Sequence, residues 1–178
     1  PARFAATELK RYLEKMSGAS FNVDSVSSSG PSIDLMVDTA ISVERYRISL
    51  HHQRLSIRGG SGRAILYGVY DLLRRLGCRW PAPAFSFYHG STTIIPRRDS
   101  LYVSMPGIID QAPAFSFRKL DVEEGRSHTS ANLLKLVDWM AKAGFNTLQV
   151  PLNYGGAGRV EWDQWRTILT PALRKRGL

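Results

Sequence analysis

Cysteine is all but absent from this chain of 178 residues, which holds Cys78 alone. One thiol excludes an internal disulfide and any cysteine cluster for zinc, and beside an apolar helix end it reads as a small buried hydrophobe. The chain opens with neither an initiator methionine nor an apolar run of signal-peptide type, so any targeting segment is expected to have been removed or never included. Concentrated charge is lacking too. The formal net charge is +9, yet residues 1–110 hold 14 Lys and Arg against 9 Asp and Glu, and residues 111–178 hold 10 against 6. The densest basic clusters, Arg97-Arg98 and Arg174-Lys175-Arg176, are short, and there is no RNA-recognition octapeptide, zinc finger or basic zipper. The excess reads as a solvated surface, with neither nucleic acid nor membrane expected as a partner. What is present is ordinary globular material: 43% of residues are hydrophobic, and the length suits one domain or a domain with a piece of another.

The most informative stretch runs from Arg58 to Trp80. Before it, Tyr46 to Leu50 and Arg54 to Arg58 alternate apolar and polar residues, which predicts a strand hairpin around His51-His52-Gln53. Gly59-Gly60-Ser61-Gly62 then leads into a helix with Ile65, Leu66, Val69, Leu72, Leu73 and Leu76 on one face. A glycine-rich turn between a strand and a helix is a place where free N–H groups and the helix dipole meet an anion. A nucleoside-triphosphate loop, however, requires Lys followed by Ser or Thr after its last glycine, and here Arg63-Ala64 follow; the dinucleotide spacing of three glycines fails as well. The turn is therefore expected to be structural, with glycines at positive φ, Ser61 capping the helix and Gly77 ending it.

At the start of the chain Ala5, Leu9, Leu13 and Met16 fall at helical spacing, with Gly18 as a stop. A helix that begins at residue 2 or 3 lacks the usual cap, which suggests that residues upstream, a strand among them, are missing. Ile33 to Val37 reads as a strand after the polar loop at 27–31. The predicted fold class is α+β: a small antiparallel sheet with two helices on one face, a layer able to stand without a cofactor. From Pro81 to Pro113 prolines and aromatics alternate with short extended pieces, an extended connection that ends at a boundary near residue 110.

Beyond it Phe115 to Asp121 reads as a strand, Ser130 to Ala143 as an amphipathic helix stopped by Gly144, and Phe145 to Val150 as a second strand. This β-α-β unit requires parallel strands and a right-handed crossover. Helical pieces follow at 162–169 and 171–176. Two strands cannot form a parallel sheet buried on both faces, so the region reads as the opening of something larger.

The run from Gly59 to Trp80, with Tyr67-Gly68-Val69-Tyr70-Asp71-Leu72-Leu73 and Leu76-Gly77-Cys78-Arg79-Trp80, together with Ala5 to Leu13, resembles the N-terminal α+β domain that precedes the catalytic barrel in β-N-acetylhexosaminidases and microbial α-glucuronidases. The resemblance implies an accessory domain over 1–110, linker included, and over 111–178 the first β-α-β-α of an incomplete (β/α)₈ barrel. It implies a glycoside hydrolase whose frame continues past Leu178 for roughly 200 or more residues, a periplasmic or secreted location, a carbohydrate substrate, the rest of the barrel as partner and no cofactor. The catalytic carboxylates of those families, an Asp-Glu pair near the end of the fourth barrel strand in hexosaminidases, lie on strands beyond this chain, so no catalytic residue is expected here. A free-standing module that binds carbohydrate or a polyanion through its arginines is the reading from another class.

Substrate-binding candidates are Arg118, Asp121, His128 and Asn153. Arg118 matches the position of a hexosaminidase arginine that binds sugar hydroxyls, but Lys119 stands where that motif has glycine; the other reading is an arginine paired with a nearby carboxylate. Asp121, with Glu123 and Glu124, follows the first barrel strand on the face where ligands bind. His128 and Asn153, with Tyr154 beside it, lie in loops of that face, where a residue can reach a substrate but is more often a solvated or capping neighbour. His51-His52 lack distant partners for a metal site, and Trp162 and Trp165, three apart on a helix, read as packing residues.

Overall fold

The computed structural model describes residues 1–25, 30–90, 92–103, 105, 107–121, 129–150 and 157–178. The chain forms two compact units, Pro1–Arg79 with Ile94–Ala114, and Trp80–Thr93 with Phe115–Leu178.

In the first unit the elements are α1 (Ala2–Ser17), β1 (Ser32–Val37), β2 (Tyr46–His51), β3 (Arg54–Gly59), α2 (Gly62–Arg75) and β4 (Ile109–Gln111). The stripe at Ala5, Leu9, Leu13 and Met16 is buried as its spacing demands, and Gly18, at φ 75°, closes α1 by donating to the Glu14 carbonyl. Against it lies α2 with Ile65, Leu66, Val69, Leu72 and Leu73, and beneath both lie Ile48, Leu55, Ile57 and Ile109 of the sheet. Glu8 is buried among these residues because it is fully paired: it accepts from the Tyr70 hydroxyl at 2.9 Å and from Arg11 at 2.8 Å. Cys78 is buried, donates to Met16 Sδ at 3.7 Å, and its thiol pKa is pushed up to about 11 by burial, as a small hydrophobe requires.

The sheet is mixed, not antiparallel. Its order is β1-β3-β2-β4; β2 is antiparallel to β3 and β4, but β1 runs parallel to β3, with Ser32 opposite Arg54 and Val37 opposite Gly59. The reason is the path of residues 38–45. Instead of turning back beside β1, this connection passes over the C-terminal end of β3, held by Asp38 N–H to Gly59 O at 2.9 Å and Gly60 N–H to Arg45 O at 3.0 Å. The space for β2 is thus on the far side of β3. Strand β4, within the stretch read as connection, adds a fourth strand by pairing Ile109 with Ile48.

This crossing explains the glycine-rich run. Contrary to expectation, none of Gly59, Gly60 and Gly62 has positive φ. What they supply is the absence of a side chain: a Cβ on Gly60 would collide with the carbonyl oxygens of Ile41 and Ser42. Ser61 does cap α2, accepting from Ala64 N–H at 3.2 Å, while its hydroxyl donates to Val43 O of the crossing loop at 2.6 Å. Farther along, Gly68 lets α2 sit on the sheet, since a Cβ there would lie 2.6 Å from Ile57 Cγ2.

In the second unit β5 (Lys119–Asp121) and β6 (Thr147–Gln149) form a parallel pair joined through α3 (Ser130–Ala143), and α4 (Ala157–Arg176) follows. The strands are shorter than the sequence pattern, since each extends only as far as the other pairs with it. Helix α3 starts on Thr129, whose hydroxyl accepts from Asn132 N–H at 3.2 Å, and stops at Gly144, φ 83°. Its residues Leu133, Leu136, Val137 and Met140 pack with Leu169 of α4, and Leu120, Leu148, Phe85 and Trp165 close around them. The two helical pieces expected at the end are one helix, with the exposed Pro171 inside it. Asp138 joins α3 to α4: it pairs with Lys142 one turn on and accepts from Arg176 Nη2 at 2.8 Å. Burial would raise this carboxyl, but Lys142 and Arg176 outweigh it and hold its pKa below the usual range.

Two outcomes follow. Gly60→Ala should lower stability by about 2–3 kcal/mol, read from urea unfolding by far-ultraviolet circular dichroism; a change under about 0.5 kcal/mol would refute the crossing as the cause of the glycine. The depressed Asp138 pKa means that its contribution is complete above the unfolded value of about 4 and is lost as pH falls through the lower folded value. Asp138→Asn should therefore flatten the acid-side fall in stability below about pH 4, followed by the fluorescence of Trp80, Trp139, Trp162 and Trp165, all in the second unit.

Candidate functional site

The β5–β6 pair has two unlike faces, set by alternation. Leu120 and Leu148 point into the core with α3 and α4. Lys119 and Asp121 alternate with Leu120 along β5, Gln149 with Leu148 along β6, and Asp121 stands opposite Gln149 in the parallel register. On this polar face Lys119 Nζ lies 3.4 Å from an Asp121 carboxylate oxygen and donates to Gln149 Oε1. Both charged side chains are more than a third exposed, so the pair is held loosely and stays open to a ligand. Carboxylate, ammonium and amide in one row suit a polyhydroxylated ligand, whose hydroxyls both donate and accept. One carboxylate stands on this face among the described residues.

Of the sequence candidates, Asp121 belongs to this row and Arg118 does not share its geometry. Arg118 precedes β5 at the opposite end of the strands from Asp121. Its Nε donates to Gly144 O at 2.6 Å, its Nη1 donates to Phe115 O, and its backbone N–H donates to Asn146 Oδ1 at 2.9 Å. The guanidinium is thus held in part by backbone carbonyls that the end of α3 and the entry to β5 expose. Asn146, buried, completes the bracket by donating to Ser116 O at 2.7 Å. His128, Glu123 and Glu124 lie outside the described residues, as do Asn153 and Tyr154. Sequence reading passed over Lys119 and Gln149 as site residues, and Asn146; the first two were accessible from the period-two pattern, whereas nothing local marks Asn146.

At the hairpin tip His51 and His52 have ring centroids 4.5 Å apart. Among the described residues no three His, Cys, Asp or Glu side chains converge to hold a metal ion, and no helix is long and apolar enough to cross a membrane. Trp165 packs against the α3–α4 core, as its helical spacing suggested.

Arg118→Ala should cost the second unit about 1–2 kcal/mol by orphaning the Gly144 and Phe115 carbonyls, whereas Asp121→Asn should stay within about 0.5 kcal/mol. Urea titrations read by tryptophan fluorescence decide this, and the reverse ranking would overturn the division of roles.

No family model matches the sequence, and no curated protein matches it. Solved structures do. The chain is similar to a Streptomyces plicatus β-hexosaminidase crystallised with the product GlcNAc, at a TM-score of 0.63 and 19% identity over 85% of this chain and 28% of that one. A Vibrio harveyi family GH20 exo-β-N-acetylglucosaminidase matches at 0.55 and 18% identity, over 83% of this chain and 20% of that one. A family GH115 4-O-methyl-α-glucuronidase with specificity for decorated arabinogalactans matches at 0.68 and 13% identity, over 99% of this chain and 26% of its own. The chain spans between a fifth and little more than a quarter of these enzymes. At such identities the likeness is one of fold: this chain has an α+β architecture similar to parts of glycoside hydrolases from two families.

Proposed function

We propose that the chain is a non-catalytic part of a glycoside hydrolase, in which residues 1–110 form an accessory domain with its extended connection and residues 111–178 form the first β-α-β-α of a (β/α)₈ barrel. The observation that carries the reading is the β5–β6 pair: parallel strands joined through a helix, covered by helices on one face and bearing the Lys119, Asp121 and Gln149 row on the other. In a barrel the helices lie outside and the opposite face lines the interior, with ligands at the C-terminal ends of the strands. Asp121 and Gln149 end their strands. Fold likeness to hexosaminidases and an α-glucuronidase points the same way.

In this reading Asp121, with Lys119 and Gln149, contacts sugar hydroxyls, and Arg118 braces the start of β5. Hydrolysis needs two carboxyl groups flanking the glycosidic bond, and these belong to barrel strands outside this chain. His128 and Asn153 remain proposed substrate contacts from the two loops at the strand ends. The polyanion-binding alternative is weakened by the pairing of the arginines: Arg45 and Arg47 both bind Asp110, Arg63 binds Glu44 and Arg75 binds Asp71.

The test is turnover of aryl N-acetylhexosaminides, aryl glucuronides and other aryl glycosides by the full-length protein and by residues 1–178 alone. Activity of the former on one class, lost on truncation to 1–178, is expected. Hydrolysis by the short chain, or a full-length protein inert on the whole panel, would sink the proposal.

A further inference from the structure

Within the second unit lies a hollow of about 220 Å³ that the reading above does not use. One wall is the outer face of α3, where Lys135, Asp138, Trp139 and Lys142 recur at helical spacing; the other is formed by Trp80, Ala82, the small, exposed Ala84 and Thr93. The walls are pinned together. Trp139 Nε1 donates to Trp80 O at 2.9 Å, and Ser86 N–H donates to Asn132 Oδ1 at 3.2 Å. The hydrogen bond fixes the Trp139 indole, whose ring is backed by Phe145 at a centroid distance of 5.7 Å.

Charge in the hollow is unbalanced. Asp138 already serves both Lys142 and Arg176, and Lys142 also stands 5.9 Å from the Trp80 ring centroid. Lys135 has no ion-pair partner among the described residues. An ammonium in a hollow lined by the fixed Trp139 indole and by Trp80, with the small, exposed Ala84 among its lining residues, selects for a flat or ring-shaped molecule with one negative charge. Size agrees, since a cavity of about 150 Å³ admits benzene and this one leaves room for a substituent.

We propose that this hollow binds a six-membered ring bearing a carboxylate, the ring against Trp139 and Trp80 and the carboxylate on Lys135. A uronic acid and an aromatic acid share that chemistry. The inference rests on the lining alone and is independent of the hydrolase assignment.

Residues 1–178, labelled with ¹⁵N, are titrated with sodium glucuronate, sodium benzoate and glucose while the indole N–H resonances of Trp139 and Trp80 are followed. Saturable shifts with one or both carboxylates at millimolar concentration are expected, weakened about fivefold or more by Lys135→Gln and abolished by Ala84→Phe, which fills the hollow from an exposed position. A response to glucuronate alone or to benzoate alone supports the site and assigns its source. Equal shifts with glucose, binding unaffected by Lys135→Gln, or no saturable shift with any of the three overturns the proposal. Unchanged circular dichroism of both variants separates lost binding from lost folding.

Discussion

The first unit depends on one close approach: the connection between β1 and β2 lies across the end of β3, directly on the backbone of Gly59 and Gly60. The strand order, the parallel pairing of β1 with β3 and the starting point of α2 all follow from that crossing. Ser61 couples them, because one hydroxyl both caps the helix and holds the loop. The same contact disposes of the anion-binding reading. The space above the first turn of α2, which a phosphate would need, is occupied by protein: the crossing loop stands over Gly60, and Pro1 and Ala2 lie 3.0–3.1 Å from where a Gly62 side chain would begin.

In the second unit polar bonds do the corresponding work. A two-stranded parallel sheet has little cohesion of its own, and this one is stapled at its entry by Arg118 and Asn146, which satisfy carbonyls at the end of α3 and ahead of β5. Asp138 plays the same part between α3 and α4. These groups brace the structure, while Lys119, Asp121 and Gln149 stand on the open sheet face and Lys135 on the outer face of α3. A residue's charge is therefore a poor guide to function until its partners are known. Arg118, the cation most suggestive of a ligand contact, also holds two backbone carbonyls.

Much of this was legible beforehand. Helices α1, α2 and α3 lie where their apolar periodicity and their stops placed them, the stops being Gly18, Gly77 and Gly144, because side-chain period and capping are local properties. The hairpin around His51-His52-Gln53 and the parallel β-α-β order were legible for the same reason. Asp121 came from the barrel resemblance, as a residue following the first strand on the face where ligands bind, and alternation along β5 sets it on the face away from Leu120. The antiparallel sheet was an error of another kind: alternation says which face a residue takes and nothing about which neighbour a strand has. Strand β4 escaped notice because three residues carry no period, and they become a strand only by lying beside β2.

The sequence by itself determined helices α1 to α3 and their buried faces, the β2–β3 hairpin, the inert burial of Cys78 and the structural character of the glycine-rich turn. Tertiary structure alone decided the mixed strand order, the purpose of Gly60, the commitment of Arg118 to backbone carbonyls and the hollow beside Trp139. The physical reason is range. Helical period, alternation and caps act within a few residues, whereas Gly60 meets a loop some 18 residues earlier in the chain, Arg118 meets Gly144 across 26 and Trp139 meets Trp80 across 59. Contacts at such separations are made only after the chain has folded back on itself, and no local pattern encodes which groups will then meet.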